Sequence, residues 1–120
     1  MNSILIFISI LLIVIAIILI YLYYKKHYMY IIQKEFYDDE HIKRIFYIRN
    51  GVVEGDDTIF YPTGEINRTQ VWKNGKLHGP FVVFFRNGNK YIEGNYVDGV
   101  YAGEYIVKDL DKNIILRKEF

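Results

Sequence analysis

At 120 residues, with 15 Lys and Arg against 14 Asp and Glu, the chain has room for one small domain and carries a nearly balanced charge. That balance argues against nucleic acid or a strongly acidic substrate as partner. The lack of cysteine removes disulfides, thiol nucleophiles and cysteine-based zinc sites together, without identifying a compartment.

Hydrophobic residues make up 52% of the sequence but crowd its start, MNSILIFISILLIVIAIILIYLYY. Between Ile4 and Ile20 the sole polar side chain is Ser9, and no charged side chain precedes Lys25. As a helix, Ile4–Tyr24 would measure about 31 Å, which matches the roughly 30 Å hydrocarbon core of a bilayer. A cleavable signal peptide would carry a basic start, a shorter apolar stretch and small residues at its cleavage site. This segment has only the α-amino charge at its start, and IYLYYKKH supplies no such site. A buried core helix fits poorly too, because the Ile/Leu run is too long and too uniform for a small domain. The sequence therefore predicts a retained membrane anchor over residues 1–24. Tyr21, Tyr23 and Tyr24 would form its aromatic belt, with Lys25 and Lys26 as the basic flank. On the positive-inside rule these lysines and His27 place the remainder on the cytoplasmic, or organelle-matrix, side. The stretch KKHYMYIIQKEFYDDE lacks Gly, Pro and Ser, so residues 25–35 read as a stiff connector that keeps the domain near the membrane.

Beyond the connector the sequence repeats every 24 residues. Asn50-Gly51, Asn74-Gly75 and Asp98-Gly99 recur at that interval, as do Gly55, Gly79 and Gly103, while Gly64 and Gly88 mark a second turn. Ile48, Trp72, Tyr96 and Phe120 share the period, and Phe36-Tyr37, Phe60-Tyr61 and Phe84-Phe85 align. The units are 50–73, 74–97 and 98–120, with a partial copy over 32–49, inside a repeat domain of residues 36–120. Asn-Gly and Asp-Gly pairs tolerate the positive φ of tight hairpin turns, and the runs between them are rich in strand-forming Tyr, Phe, Val and Ile. Each unit reads as strand, turn, strand, turn, for example Val82–Arg86 then Lys90–Val97. A unit this small buries its apolar face only by stacking on neighbours. The final unit departs from the pattern: Asp111-Lys112-Asn113 stands where a glycine turn is expected. Arg117, Lys118 and Glu119 there would discourage edge-to-edge pairing.

The stretch YPTGEINRTQVWKNGKLHGPFVVFFRNGNKYIEGNYVDGVYAGEY resembles MORN-type repeats, particularly the variant of bacterial YwqK-type proteins. The best matches are Asn74-Gly75-Lys76-Leu77-His78-Gly79 and Glu93-Gly94-Asn95-Tyr96. The resemblance covers about residues 46–105, or 36–120 with degenerate ends. It implies an all-β repeat domain, an open and twisted antiparallel meander of hairpins, here after one N-terminal transmembrane α-helix. It also implies a role as an interaction or membrane-proximal scaffold. The alternative carried by the YwqK-type label is an antitoxin component of a toxin–antitoxin pair.

Catalytic and metal-binding patterns find little support. His27, His41 and His78 have no Cys or His companion at ligand spacing, and His78 sits in a repeat turn. Asp109-x-Asp111-x-Asn113 imitates the start of a calcium loop, but Ile114 and Phe120 occupy its glycine and glutamate positions. Serine is confined to Ser3 and Ser9 at the anchor, which leaves the repeat without a serine nucleophile. No catalytic residue, cofactor, metal or small-molecule substrate is inferred.

What remains is aromatic surface. In an extended strand Phe81, Val83 and Phe85 face one way and Val82 and Phe84 the other. A single sheet with apolar side chains on both faces either buries them against one another or presents one face to a partner. Phe60, Tyr61, Trp72, Phe81, Phe84, Phe85 and Tyr96 are the candidate interaction face. The expected function is a non-catalytic, membrane-anchored module that binds a protein partner, such as an accessory subunit of a membrane complex.

Overall fold

The computed structural model describes residues 2–120. The apolar run folds as one helix, α1 (Asn2–Tyr28), 27 residues long and so about 40 Å in length. It is apolar all round, with no buried residue, and is long and apolar enough to cross a membrane. The one polar side chain within the apolar run is satisfied inside the helix: the Ser9 hydroxyl donates to the Leu5 carbonyl one turn back at 2.8 Å. The helix runs past the expected end of the anchor and through the basic flank to Tyr28. Strand β1 (Ile31–Phe36) starts three residues later, so Met29 and Tyr30 alone connect the two. Residues 25–35 are thus mostly helix and strand, as a stretch without Gly or Pro allows.

The remainder is one open antiparallel sheet of 11 strands, not closed into a barrel. After β1 come β2 (Ile42–Arg49), β3 (Val52–Val53), β4 (Gly55–Phe60), β5 (Ile66–Lys73) and β6 (Lys76–Leu77). Then follow β7 (Gly79–Phe84), β8 (Lys90–Val97), β9 (Val100–Tyr101), β10 (Glu104–Lys108) and β11 (Ile114–Glu119). The eight long strands lie side by side in chain order, and the two-residue strands β3, β6 and β9 pair with β2, β5 and β8 at one end of the sheet. Four hairpins therefore stack: β1–β2, β4–β5, β7–β8 and β10–β11.

The turns repeat as closely as the sequence does. Asn50 and Gly51 have φ of 51° and 78°, Asn74 and Gly75 52° and 77°, Asp98 and Gly99 48° and 86°. Positive φ at both central positions is the type I′ geometry that matches the strand twist. At the opposite end each hairpin carries a bulge at the same place, after Glu35, Ile59, Val83 and Val107. One backbone bond of 2.8–2.9 Å closes each turn: Tyr37 N to His41 O, Tyr61 N to Glu65 O, Phe85 N to Asn89 O and Asp109 N to Asn113 O. The first hairpin is thus complete, although its turn has no glycine and keeps only the aromatic pair Phe36-Tyr37 of the repeat signals.

Neighbouring hairpins are tied at both ends. At the Asn-Gly end, Gly75 N donates to Val53 O at 3.2 Å and Gly99 N to Leu77 O at 2.8 Å. The side chain before the repeat glycine reinforces this: Glu54 Oε2 accepts from Asn74 N at 2.7 Å and His78 Nδ1 from Asp98 N at 3.2 Å. That bond needs Nδ1 unprotonated, which excludes an ion pair through the same atom to the Asp98 carboxylate 3.6 Å away. At the bulged end, the Tyr37 hydroxyl donates to the Phe60 carbonyl (2.7 Å) and the Tyr61 hydroxyl to the Phe84 carbonyl (2.6 Å). Phe85 has no hydroxyl, and the ladder stops there. Asn89 Nδ2 donating to the Leu110 carbonyl at 3.2 Å takes over the link to the last hairpin.

The final turn forms without its glycine. Lys112 takes φ 67° where Gly64 and Gly88 have 102° and 88°, and Asp109 Oδ1 holds the turn by accepting from Asp111 N and Asn113 N, both at 2.9 Å. The calcium-loop imitation is therefore a turn built around Asp109. A lysine in the left-handed region is strained by its Cβ, so Lys112→Gly should stabilise the sheet by about 0.5–1 kcal/mol after the flexibility of glycine is counted. Urea unfolding of the full chain in detergent micelles should show a raised midpoint with an unchanged slope. An unchanged or lowered midpoint would contradict the strain.

Candidate interaction face

The register assigns side chains to two faces. Asp57 lies opposite Gln70, Gly55 opposite Trp72, and Ile59 opposite Arg68, all on one face. Phe81 opposite Gly94, and Gly79 opposite Tyr96, continue the same face. Thr58, Thr69, Val82 and Glu93 occupy the other. The first is the aromatic face. Trp72 and Tyr96 each stand across from a glycine of positive φ (Gly55 87°, Gly79 112°), a backbone conformation that a side chain would strain.

In hairpin β4–β5 the centre of this face is polar. Asp57 is 1% exposed. It accepts from Arg44 Nε at 2.9 Å and Arg44 Nη2 at 2.8 Å, from Gln70 Nε2 at 2.7 Å and from Trp72 Nε1 at 2.8 Å. Arg44 reaches across from β2, lies over the Phe46 ring at 4.2 Å, and has Glu35 as a second carboxylate at 3.5 Å. Burial alone would raise the Asp57 carboxyl. The hydrogen bonds from Arg44, Gln70 and Trp72, with the charge of Arg44, outweigh it and hold the group below the usual aspartate value.

Twenty-four residues on, the same positions hold a different core. Phe81 replaces Asp57 and is 2% exposed, and Gly94 replaces Gln70. A Cβ at Gly94 would lie 2.6 Å from Phe81 Cε1 and 2.8 Å from Cζ, so the ring requires the glycine. Around Phe81 stand Tyr96 at 4.8 Å, Tyr101 at 5.8 Å and Tyr105 at 6.3 Å between ring centroids, and Phe120 lies 5.2 Å from Tyr101. Arg68 replaces Arg44. Its guanidinium sits over Phe81 at 4.9 Å, and Nη2 donates to the Tyr96 hydroxyl at 3.2 Å. Its Nε is buried without a partner.

The seven residues expected to form the interaction face do not share one surface. Phe81 and Tyr96 are core, and Phe60, Tyr61, Trp72, Phe84 and Phe85 are half-buried. The expected Phe81–Val83–Phe85 stripe stops at Val83, because the bulge that follows breaks the alternation. Phe85 lies beyond the strand and packs on Tyr91 at 4.6 Å, while Arg86 covers Tyr61 at 5.2 Å. The exposed aromatics on this face are Phe120, 52% accessible, and Tyr101, 43% accessible, the latter at a position that carries no signal in the repeat. The Asn50-Gly51 turn borders a cleft together with Leu22, Lys25 and Lys26, so this turn is level with the last turns of α1. Asp38 and His41 belong to a turn: Asp38 Oδ1 accepts from Glu40 N (2.9 Å) and His41 N (3.0 Å), and His41 Nδ1 is 2.7 Å away. Among the described residues no three His, Asp or Glu side chains are grouped to hold a metal ion.

Asp57→Ala would strand the buried Gln70 amide and leave the half-buried Arg44 with Glu35 alone, a change expected to cost about 3 kcal/mol at neutral pH. A carboxyl held low in the fold contributes its stability above the unfolded value of about 3.9 and loses it as pH falls through the lower folded value. The gap between wild type and Asp57→Ala in urea midpoint should therefore be constant from neutral pH to about 4 and narrow below it. A gap that narrows between neutral pH and 5 instead would contradict the buried, ionised Asp57.

Compared with known proteins, the chain matches no family model, no curated protein and no solved structure. The MORN-type resemblance rests on the repeat motifs themselves.

Proposed function

We propose that the protein is a non-catalytic binding module anchored in a membrane by α1, and that the aromatic face of its sheet docks a protein partner within a membrane assembly. The observation that carries this reading is the uncovered aromatic face of a one-layer sheet. Its rings are backed by a single layer of strands, and no described element packs over Tyr101 or the half-buried Trp72. Aromatic residues that combine apolar area with a polar tip are favoured at such interfaces. The two-residue link to α1, together with the position of the Asn50-Gly51 turn beside Lys25 and Lys26, holds the first hairpin close to the bilayer surface, and the ring cluster lies further out along the sheet. The basic flank Lys25, Lys26 and His27 favours the cytoplasmic or matrix side for the sheet. The Asn-Gly turns and the bulged hairpins support a MORN-type repeat of the YwqK kind.

A photo-reactive amino acid placed at Tyr101 in native membranes should give one defined, stoichiometric adduct. The same group at Thr58 on the opposite face should give none. Adducts of equal yield from both positions, or from neither, would contradict docking through the aromatic face.

A further inference from the structure

Arg44 and Arg68 are the same position in successive hairpins, and their surroundings differ in one respect. Arg44 has two carboxylates, Asp57 at 2.8 Å and Glu35 at 3.5 Å. At Arg68 both have been replaced, Asp57 by Phe81 and Glu35 by Ile59, and the guanidinium has been kept. Arg68 makes no ion pair among the described residues. At the far side of the same ring cluster Lys118, opposite Tyr105 on β11, lies over Phe120 at 4.6 Å and is also unpaired. The acidic side chains on strands β7 to β11, Glu93, Glu104 and Glu119, all belong to the opposite face.

A half-buried guanidinium loses hydration that the ring beneath it restores only in part. In the preceding hairpin the chain supplies the missing anion itself. We propose that the ring cluster between Arg68 and Lys118 receives an acidic side chain of the protein partner, an Asp or Glu whose carboxylate is held by the outward edge of Arg68 and whose flanking apolar residues pack on Tyr101. The planar fork of arginine suits a carboxylate, and Lys118 adds a second positive charge at the rim. This inference rests on the binding reading above and specifies the chemistry of its partner.

The test uses the full chain in lipid nanodiscs and two peptides that differ in one residue, a Glu flanked by Leu and Tyr and its Gln counterpart. The Arg68 Nε–H resonance is the readout. The Glu peptide should shift it saturably in the millimolar range, and the Gln peptide should bind about tenfold more weakly. Arg68→Gln should abolish the difference between the peptides, monitored by the Tyr101 ring signals. Lys118→Gln, at an exposed site that leaves the fold intact, should weaken the Glu peptide several-fold. Equal response to both peptides, no saturable shift, or a Glu preference that survives Arg68→Gln would overturn the inference. If the Tyr101 adduct persists while the Glu preference is missing, the acidic partner alone is wrong. Loss of the adduct as well removes the docking reading itself.

Discussion

A single layer of β-strands has no opposing layer to bury its side chains, so each hairpin depends on contact with the next. Here that contact recurs at one position in the first two of the three junctions between hairpins, while the third has Ile92 there. The second strand of a hairpin sends a long side chain, Arg44 or Arg68, over the central residue of the following hairpin, Asp57 or Phe81. Everything else on the aromatic face is arranged around those two joints. Trp72 and Tyr96 close them from one side, and the residue across the hairpin is sized to fit, Gln70 against the small aspartate and Gly94 against the large ring. The backbone bonds between turns and the tyrosine hydroxyls at the bulges fix the spacing of hairpins, but neither buries surface.

The two joints meet the same requirement by different chemistry. One is a closed set of charge-assisted hydrogen bonds in which each donor aimed at Asp57 finds an oxygen. Its members are mutually dependent, and loss of one leaves the others stranded in a dry place. The other is dispersion among rings with a cation above them, more tolerant of rearrangement and open at its edge. That contrast divides the sheet into a self-satisfied half next to α1 and an apolar, positively flanked half further from it. In the proposed binding role, the second half is where a partner would gain most by covering the surface.

The helix, the period and the turn residues are all legible in the sequence because each has a local cause: uninterrupted hydropathy, Asn-Gly conformational tolerance, and recurrence of both at 24 residues. The open antiparallel meander follows from them. The four bulges are not legible, since an extra residue in one strand leaves no mark in composition, and they are what separate Phe85 from the stripe assigned to it. The turn at Lys112 is hidden for the opposite reason: Asp109 supplies by side-chain hydrogen bonds what glycine supplies elsewhere. The burial of Asp57 is the largest surprise. Aligning the repeats already places Asp57 at the Phe81 position and Arg44 at the Arg68 position, so the signal was present. Reading it requires knowing that this position is the joint between hairpins, which only the register reveals.

The proposed docking requires an aromatic face that is uncovered in the isolated chain and covered in its native membrane. Radical footprinting of individual tyrosines compares the two states directly. In the purified full chain in nanodiscs, Tyr101 should be modified rapidly and Tyr96 slowly. In native membranes Tyr101 should become protected, while Tyr91, at the bulged end of the sheet, stays as reactive as before. Tyr101 already protected in the purified chain, or equally reactive in both settings, would contradict the account.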